Sequence, residues 1–576
     1  MKRCPECRRD YYDDTLSFCL NDGAELVYGL SPDEPAKAIL QSTAAPGEAP
    51  TREQINMTDQ TAILPTGTGN VVPKLRGFDK RLLFAPFALA VIVLGGFFGY
   101  RYLSASSSKQ INSIAVMPFE NRNSDADTDY LSDGLAESVI FRLTQIPDLR
   151  VSPTSSVMRY KGASTDIAKI ASELGVDAVM TGRLTKRGDN LNITVELVDA
   201  RTNKSLWGEQ YERKLSELLT TQREIVTEIV GKLQLKLSGE SEQKLAKKYT
   251  DNNEAYQLYL QGRYHWNKRQ IPEFEKAIVF FKQAIEKDPN FALAYTGLAD
   301  TYALFPINGD FRPKEYMPQA KAAALKALEL DPNLAEAHAS LAVVLVDYEY
   351  DFAGAEKAFK RAIELDPNYG SAHQWYAELL TASSRHDEAI RENSRALELD
   401  PFSLPFNVGM VANLLRAGRF DEVLLQNKKF NELFPNDARF HTFNLSVYVA
   451  QGKYDQAIEE RLLEAKARNL KPENIAKLKE AYEKDGWVGL QRMNGEIRIE
   501  ELNIKQAKDP NAYVKAMDFA NAYLNGKDED KSIEYLNKAY EERSNQLVEL
   551  KVNKRWDFVR DDPRFKELVR RVGIPE

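Results

Sequence analysis

Along this chain the apolar positions change their period twice, and each change marks a different kind of element. From Leu82 to Tyr100 they run unbroken: LLFAPFALAVIVLGGFFGY holds nineteen residues without a charge, an amide or an acid. At about 1.5 Å per residue, a helix of that length crosses the roughly 30 Å hydrocarbon layer of a membrane. A buried soluble helix keeps one polar edge, whereas this stretch is apolar on every side. It starts too far into the chain for a signal peptide, and Pro86 falls in the first turn, where a missing N–H matters least. The pattern predicts one transmembrane helix over 82–100. Gly95 and Gly99, four apart, would let two such helices approach closely and self-associate weakly.

Beyond it the period shortens. INSIAVMPF (111–119) reads as a buried strand stopped by proline, and Leu149–Ser152 as another. Three alternating strands follow at Ala178–Thr185, Leu191–Val198 and Ser205–Glu212, parted by turns at Arg187-Gly188-Asp189 and Arg201-Thr202-Asn203. Helical spacing places Leu131, Leu135, Val139, Ile140 and Leu143 on one face of a helix over Tyr130–Gln145. Two more helices are predicted, Asp166–Leu174 closed by Gly175 and one from Ser216 to about Leu237. Strands and helices interleaved in this way predict an α/β domain over 109–240. Asp125, Asp127 and Asp129 imitate the opening of a calcium loop, but Tyr130 stands where that loop needs glycine and Ala136 where it needs a bidentate glutamate. They read as an acidic, solvated loop.

From residue 254 the helical period takes over and the sequence repeats. Asp-Pro recurs at 288–289, 331–332, 366–367 and 400–401, followed by Phe434-Pro435, and the last three intervals are 35, 34 and 34 residues. A period of 34 ending in proline identifies tetratricopeptide repeats. Small residues recur where paired helices must meet, at Ala277/Ala284, Ala320/Ala327, Ala355/Ala362 and Ala389/Ala396, with Phe281 and Phe359 filling the space between. Each proline ends a second helix, and the aspartate before it breaks the helix as the chain turns. Further units fit Ala438–Ala465 and, in degenerate form, Ala512–Ala539. His338 and His373 fall at one equivalent first-helix position, and His441 fits it too. Neighbouring packed helices lie roughly 8–10 Å apart, too far to share an ion, so these histidines read as packing residues.

Charge and cysteines alter the picture at the N-terminus. A formal charge of −8 argues against a general nucleic-acid binder, which would present a basic face. All three cysteines precede the membrane helix. Cys4 and Cys7 form one knuckle, and Cys19 begins a second in which Asp22 occupies the place of a fourth cysteine. Zinc takes four tetrahedral ligands and accepts a carboxylate among them, so Cys4, Cys7, Cys19 and Asp22 are the candidate ligands of a structural zinc ion. So short a segment buries no core without its metal. Residues 29–76, with APGEAP and LPTGTGNVVP, have the composition of a flexible tether. Lys74, Arg76, Lys80 and Arg81 precede the membrane helix, and only Arg101 and Lys109 follow it closely. The positive-inside rule then puts the N-terminus in the cytoplasm and the rest outside it.

Two resemblances follow. The opening CPxC…FCxxDG is similar to a short zinc ribbon over residues 1–28. SIAVMPFENRNSDADTDYLSDGLAESVIFRL, IASELGVDAVMTGRL and ITVELVDARTNKSLWGEQYER resemble the TolB-like domain that accompanies bacterial adenylate cyclases, kinases and winged-helix regulators, usually ahead of tetratricopeptide repeats. That resemblance implies a non-catalytic sensing or interaction domain. No metalloprotease, P-loop, nucleophile-elbow or dinucleotide motif occurs on a suitable unit. The expected molecule is multidomain: a zinc ribbon (1–28), a linker (29–76), a transmembrane helix (82–100), an α/β TolB-like domain (109–240) and an all-α repeat superhelix (254–576). It would sit once through a bacterial inner membrane, with its C-terminal domains periplasmic, and bind a protein or peptide in the repeat groove. The alternative expectation is a transmembrane regulator whose ribbon contacts nucleic acid or a cytoplasmic partner.

Overall fold

The computed structural model describes residues 111–576, apart from 124–125, 147, 163–165, 236 and 576, and ahead of them three two-residue strands. The chain divides into two units, Met1–Tyr100 and Arg101–Glu576. In the first, β1 (Lys2–Arg3) pairs antiparallel with β2 (Asp10–Tyr11) and β3 (Val27–Tyr28). Cys4 and Cys7 fall between β1 and β2 in sequence, and Cys19 and Asp22 between β2 and β3. These four residues, the tether and the 82–100 stretch lie outside the described residues. Among the described residues no helix is long and apolar enough to cross a membrane.

The second unit opens with the α/β domain. Its sheet contains β4 (Ser113–Val116), β5 (Glu120–Asn121), β6 (Arg150–Val151), β7 (Ala178–Arg187), β8 (Asn190–Asp199) and β9 (Lys204–Lys214). The strand order is β6-β4-β7-β8-β9, with β5 also on β7; β4 runs parallel to β6 and β7, and β7-β8-β9 form an antiparallel meander. A two-residue turn joins β7 to β8, and Gly188 supplies the positive φ of 60° that it needs. Leu191, Ile193, Val195 and Leu197 alternate inward along β8, as a sheet with one buried face requires. The helices are α1 (Ala126–Thr144), α2 (Thr154–Met158), α3 (Ile167–Leu174), α4 (Leu218–Lys232) and α5 (Gly239–Ala246). Asp166 caps α3 by accepting from Lys169 N, and Gly175 ends it in the left-handed conformation, as its sequence signals. The helix expected over 216–237 is shorter: a 3-10 turn at Leu215–Glu217 precedes α4, which stops at Lys232.

The remainder is all helical. Six antiparallel pairs run α6 (Asn253–Asn267) with α7 (Ile271–Lys287), α8 (Ala292–Asn308) with α9 (Pro313–Leu330), and α10 (Ala335–Val344) with α11 (Phe352–Leu365). Next come α12 (Gly370–Ala382) with α13 (His386–Leu399), α14 (Leu404–Arg416) with α15 (Phe420–Leu433), and α16 (Arg439–Ala450) with α17 (Tyr454–Ala467). The long α18 (Pro472–Lys508) is broken at Asp485 and Gly486, where Gly486 has φ +60°. A last pair, α19 (Ala516–Asn525) and α20 (Glu529–Glu542), leads through two 3-10 turns to α21 (Pro563–Val572). The alanines expected between paired helices are all fully buried, as are Phe281 and Phe359. Phe281 is clasped by two glycines one repeat apart: a Cβ on Gly262 or Gly297 would fall 2.5 Å from its ring.

Repeats that touch only their neighbours form an open array, but here the chain's end folds back on earlier pairs. Tyr350, after α10, donates its hydroxyl to Ser544 O at 3.0 Å. Lys515 Nζ donates to Pro306 O at 3.0 Å, Lys505 pairs with Asp310, and Arg416 pairs with Glu549 at 2.6 Å. One apolar cluster joins Trp266 and Phe274 to Trp556 and Phe565.

Candidate functional site

The site is built where the α/β domain meets the turns between repeats. In an Asp-Pro turn, the aspartate carboxylate bonds the backbone two residues on: Oδ1 of Asp288, Asp331, Asp366 and Asp400 accepts from the N–H of Asn290, Asn333, Asn368 and Phe402. Each carboxylate keeps capacity for a second donor, and in every case that donor comes from the preceding domain or its connection. Thr250 Oγ1 donates to Asp288 Oδ2 at 2.5 Å, and Lys247 Nζ to Asp331 Oδ2 at 2.5 Å. Gln145 Nε2 reaches Asp366 Oδ2 at 3.4 Å, and Ser155 and Ser156 both donate to Asp400. Four successive turns are thus held along one rim.

Above that rim, α1 lies against α6. Arg263 pairs with Glu137 at 2.8 Å, and Asn267 Nδ2 donates to the other carboxylate oxygen at 2.7 Å. Burial works against the Arg263 charge, but Glu137, Tyr259 and Asp300 together outweigh it and keep the guanidinium protonated. Arg142, on the next turn of α1, donates to the carbonyls of Leu245 and Lys247 and so fixes the connection to the repeats. Between the two bodies remains a cavity of about 600 Å³, walled by α1 and α2 on one side and by first helices of the repeats on the other. Tyr249, Tyr256, Tyr259, Trp266 and Tyr369 line it.

Burial raises the acids around this space. Asp300 is pushed up to about 6, with Ser340, Arg263 and Arg269 opposing the shift. Glu336 rises to about 8, burial being reinforced by Asp366 and Asp300 and opposed by Arg263. On the repeats facing the C-terminal segment, burial takes Asp347 to about 7, with Glu549 adding to the shift. A carboxyl whose folded pKa exceeds its unfolded value binds its proton more tightly in the native state, so its stabilising contribution is complete below about 4.5 and is lost as pH rises through the folded value. Glu273 runs the other way: hydrogen bonds from Lys268, Lys276 and His265 hold it at about 2, so its contribution is lost only in strong acid. Thermal stability is therefore expected to be greatest near pH 5 and to decline towards pH 8.5, and Glu336→Gln should flatten that decline. A melting temperature that rises steadily from pH 5 to 8.5 would contradict these assignments.

The histidines keep the packing role and gain a second one. His338 Nε2 lies 2.9 Å from Pro332 O, His373 Nε2 lies 3.1 Å from Pro367 O, and Asn407 donates to Pro401 O at 2.9 Å. The residue six positions after each proline thus ties down its carbonyl. His373 and His441 place Nδ1 2.7 and 2.6 Å from Glu392 and Glu460. Asp129, from the calcium-like run, accepts from Asn121 at 2.8 Å, and among the described residues no cluster of His, Cys, Asp or Glu is placed to hold a metal. The candidate zinc ligands Cys4, Cys7, Cys19 and Asp22 lie outside those residues. Sequence reasoning saw the repeat aspartates only as helix breakers and missed Arg263, Glu137, Arg269, Asp300 and Glu336, which carry no motif.

Comparison with known proteins refines the class. Residues 109–228 match the family described as HilA/YgeH-like transcriptional regulator, second domain. Residues 348–405 and 517–546 match tetratricopeptide repeats. The α/β body is thus similar to a HilA/YgeH-like second domain, and segments of the helical region that follows it to tetratricopeptide repeats. It is 31% identical over 236 residues to "Putative adenylate cyclase 3" of Rhizobium meliloti (strain 1021), an alignment covering 40% of each chain. It is 22% identical over 239 residues to the transcriptional regulator HilA of Salmonella typhimurium, covering 40% of this chain and 41% of that one. The chain therefore spans about two fifths of the length of these relatives. Among solved structures, YrrB, described as a TPR protein with an unusual peptide-binding site, is 24% identical with a TM-score of 0.26, covering 35% of this chain and 96% of that one.

Proposed function

We propose that this chain is a membrane-anchored, non-catalytic regulator. Its repeats hold a protein or peptide partner, its α/β domain is the regulatory body seated on them, and a zinc-ribbon head faces the cytoplasm. The observation that carries this reading is the division of the repeats. The α/β domain and its connection grip the turns at Asp288, Asp331, Asp366 and Asp400. Exposed apolar residues lie on the gripped repeats at Val279, Ile307 and Leu325, and more of them on the ungripped α15, α17 and α18, at Leu425, Tyr454, Leu463, Val488 and Ile504. A partner therefore docks on the later pairs rather than on the face already used in cis.

Affinity capture with the full chain in detergent is expected to retain a partner that the Leu425→Asp, Leu463→Asp double variant loses without a change in helix content. Equal capture by both proteins would remove the docking surface. Alkaline phosphatase fused after Glu576 is expected to be active, and inactivity there would invert the topology. The purified chain is expected to leave ATP unchanged, and cyclic AMP formation would overturn the non-catalytic reading.

The transcriptional relative favours a second reading, in which the head contacts nucleic acid. A zinc-dependent gel shift by residues 1–76 would establish that reading; no shift is expected, because Asp10, Asp13 and Asp14 offset the basic residues around them.

A further inference from the structure

The cavity between the α/β domain and the repeats has about 600 Å³ of space, within the range of small-molecule sites. Most of the charges in its wall are already matched. Glu137 is taken by Arg263 and Asn267, Asp400 by Ser155 and Ser156, Arg142 by two carbonyls, and Asp300 by the Ser340 hydroxyl. Two are not. Arg269, which is solvent-exposed, places its guanidinium carbon 3.5 Å from the centre of the Trp266 ring, and the guanidinium has no hydrogen-bond or ion-pair partner among the described residues. The Glu336 carboxyl has no partner on another of the described residues. One unmatched cation and one unmatched acid thus share a single space walled by tyrosines.

We infer that this cavity binds a zwitterionic small molecule, an amino acid or short free peptide, with its carboxylate on Arg269 and its ammonium on Glu336. A ligand carrying only one of these charges would forgo one of the two contacts, and one without the ammonium would leave the partly buried Glu336 carboxyl unmatched. The aromatic wall supplies apolar surface for the ligand body and ring faces that favour a nearby cation. The cavity exceeds the needs of a single amino acid, so a di- or tripeptide fits best. Because both bodies contribute walls, occupancy would tighten the seat of the α/β domain on the repeats.

Protonation gives the binding a signature. Glu336 faces Asp366 and Asp300, which disfavour its charge, and Arg263, which favours it, with Tyr249 and Tyr369 nearby; without ligand it holds its proton up to about 8. An ammonium seated against it displaces that proton, so binding at pH 7 releases one.

The test uses the full chain in detergent, with a panel of di- and tripeptides bearing free termini and their N-acetylated and C-amidated forms. At least one free peptide is expected to raise the melting temperature in a dose-dependent way. Each blocked form should bind at least tenfold more weakly. Calorimetry at pH 7 in phosphate and in Tris should give enthalpies that differ by the difference between the two buffers' ionisation heats, for one proton taken up. Arg269→Gln should abolish discrimination against the amidated form only, and Glu336→Gln discrimination against the acetylated form and the proton release. Neither side chain has a hydrogen-bond or ion-pair partner on another of the described residues, so both variants should keep wild-type helix content. No shift from any free peptide, equal binding of blocked forms, or unaltered binding by both variants would each overturn the assignment.

Discussion

Glu137→Ala is expected to cost the second unit about 3 kcal/mol, the lower end of the range for breaking a buried ion pair by removing one partner. The lower end applies because the Arg263 and Glu137 side chains retain 21% and 13% of their exposure. The cost comes mainly from the Arg263 charge left behind without its acid, and Asn267 also loses its acceptor. Glu137→Gln, which preserves an acceptor while removing the charge, should fall between alanine and wild type. Urea unfolding followed by circular dichroism reads the difference. If the alanine variant matches wild type in midpoint, the pair does not hold α1 to α6, and the placement of the α/β domain on the repeats loses its strongest polar support.

Phe281→Ala should cost about 3–5 kcal/mol, as expected for removing a large side chain from a fully enclosed site. The fit around the ring also predicts how this variant combines with another. A methyl group added at Gly297 would lie 2.5 Å from the Phe281 ring, so Gly297→Ala alone should destabilise by roughly 1–3 kcal/mol through overpacking. With the ring gone, the same methyl enters the space that the ring vacated. The double variant should therefore be more stable than the sum of the two losses implies, a non-additivity characteristic of residues in contact. Strict additivity would mean that the two first helices do not close around this side chain.

Wherever a single period governs a stretch, the elements were legible in the sequence. Alternation along Leu191–Val198 placed β8 and its buried face, and the spacing of Leu131, Leu135, Val139 and Leu143 placed the core face of α1. The repeat register, read from Asp-Pro and alanine spacings, put every paired alanine at a buried helix contact. Where several forces compete, prediction faltered. The helix expected to reach Leu237 stops at Lys232, and the break of α18 at Gly486 has only one glycine to announce it. The site was illegible for a different reason. Gln145, Ser155, Lys247 and Thr250 follow no period and belong to no motif, yet they meet aspartates spaced by the repeat. Likewise, Arg269 and Glu336 come to share a cavity only because an α/β domain sits across several repeats. The candidate zinc ligands Cys4, Cys7, Cys19 and Asp22 and the 82–100 stretch lie outside the described residues.

The fold-back of the C-terminal segment bears on how this chain could have changed by duplication. An open array can gain or lose one unit at either end, because each added unit needs only one new neighbour. Here Tyr350 must find Ser544 O, Lys515 must find Pro306 O, and Arg416 must find Glu549. Inserting one more unit between Arg416 and α19 would carry the closing segment past these partners and strand Asp310 without Lys505. Deleting one would leave the segment short of them. The number of units is thus locked by the junction between the two ends of the array, and length variation in homologous chains should fall in the loops between helices rather than in whole multiples of the repeat.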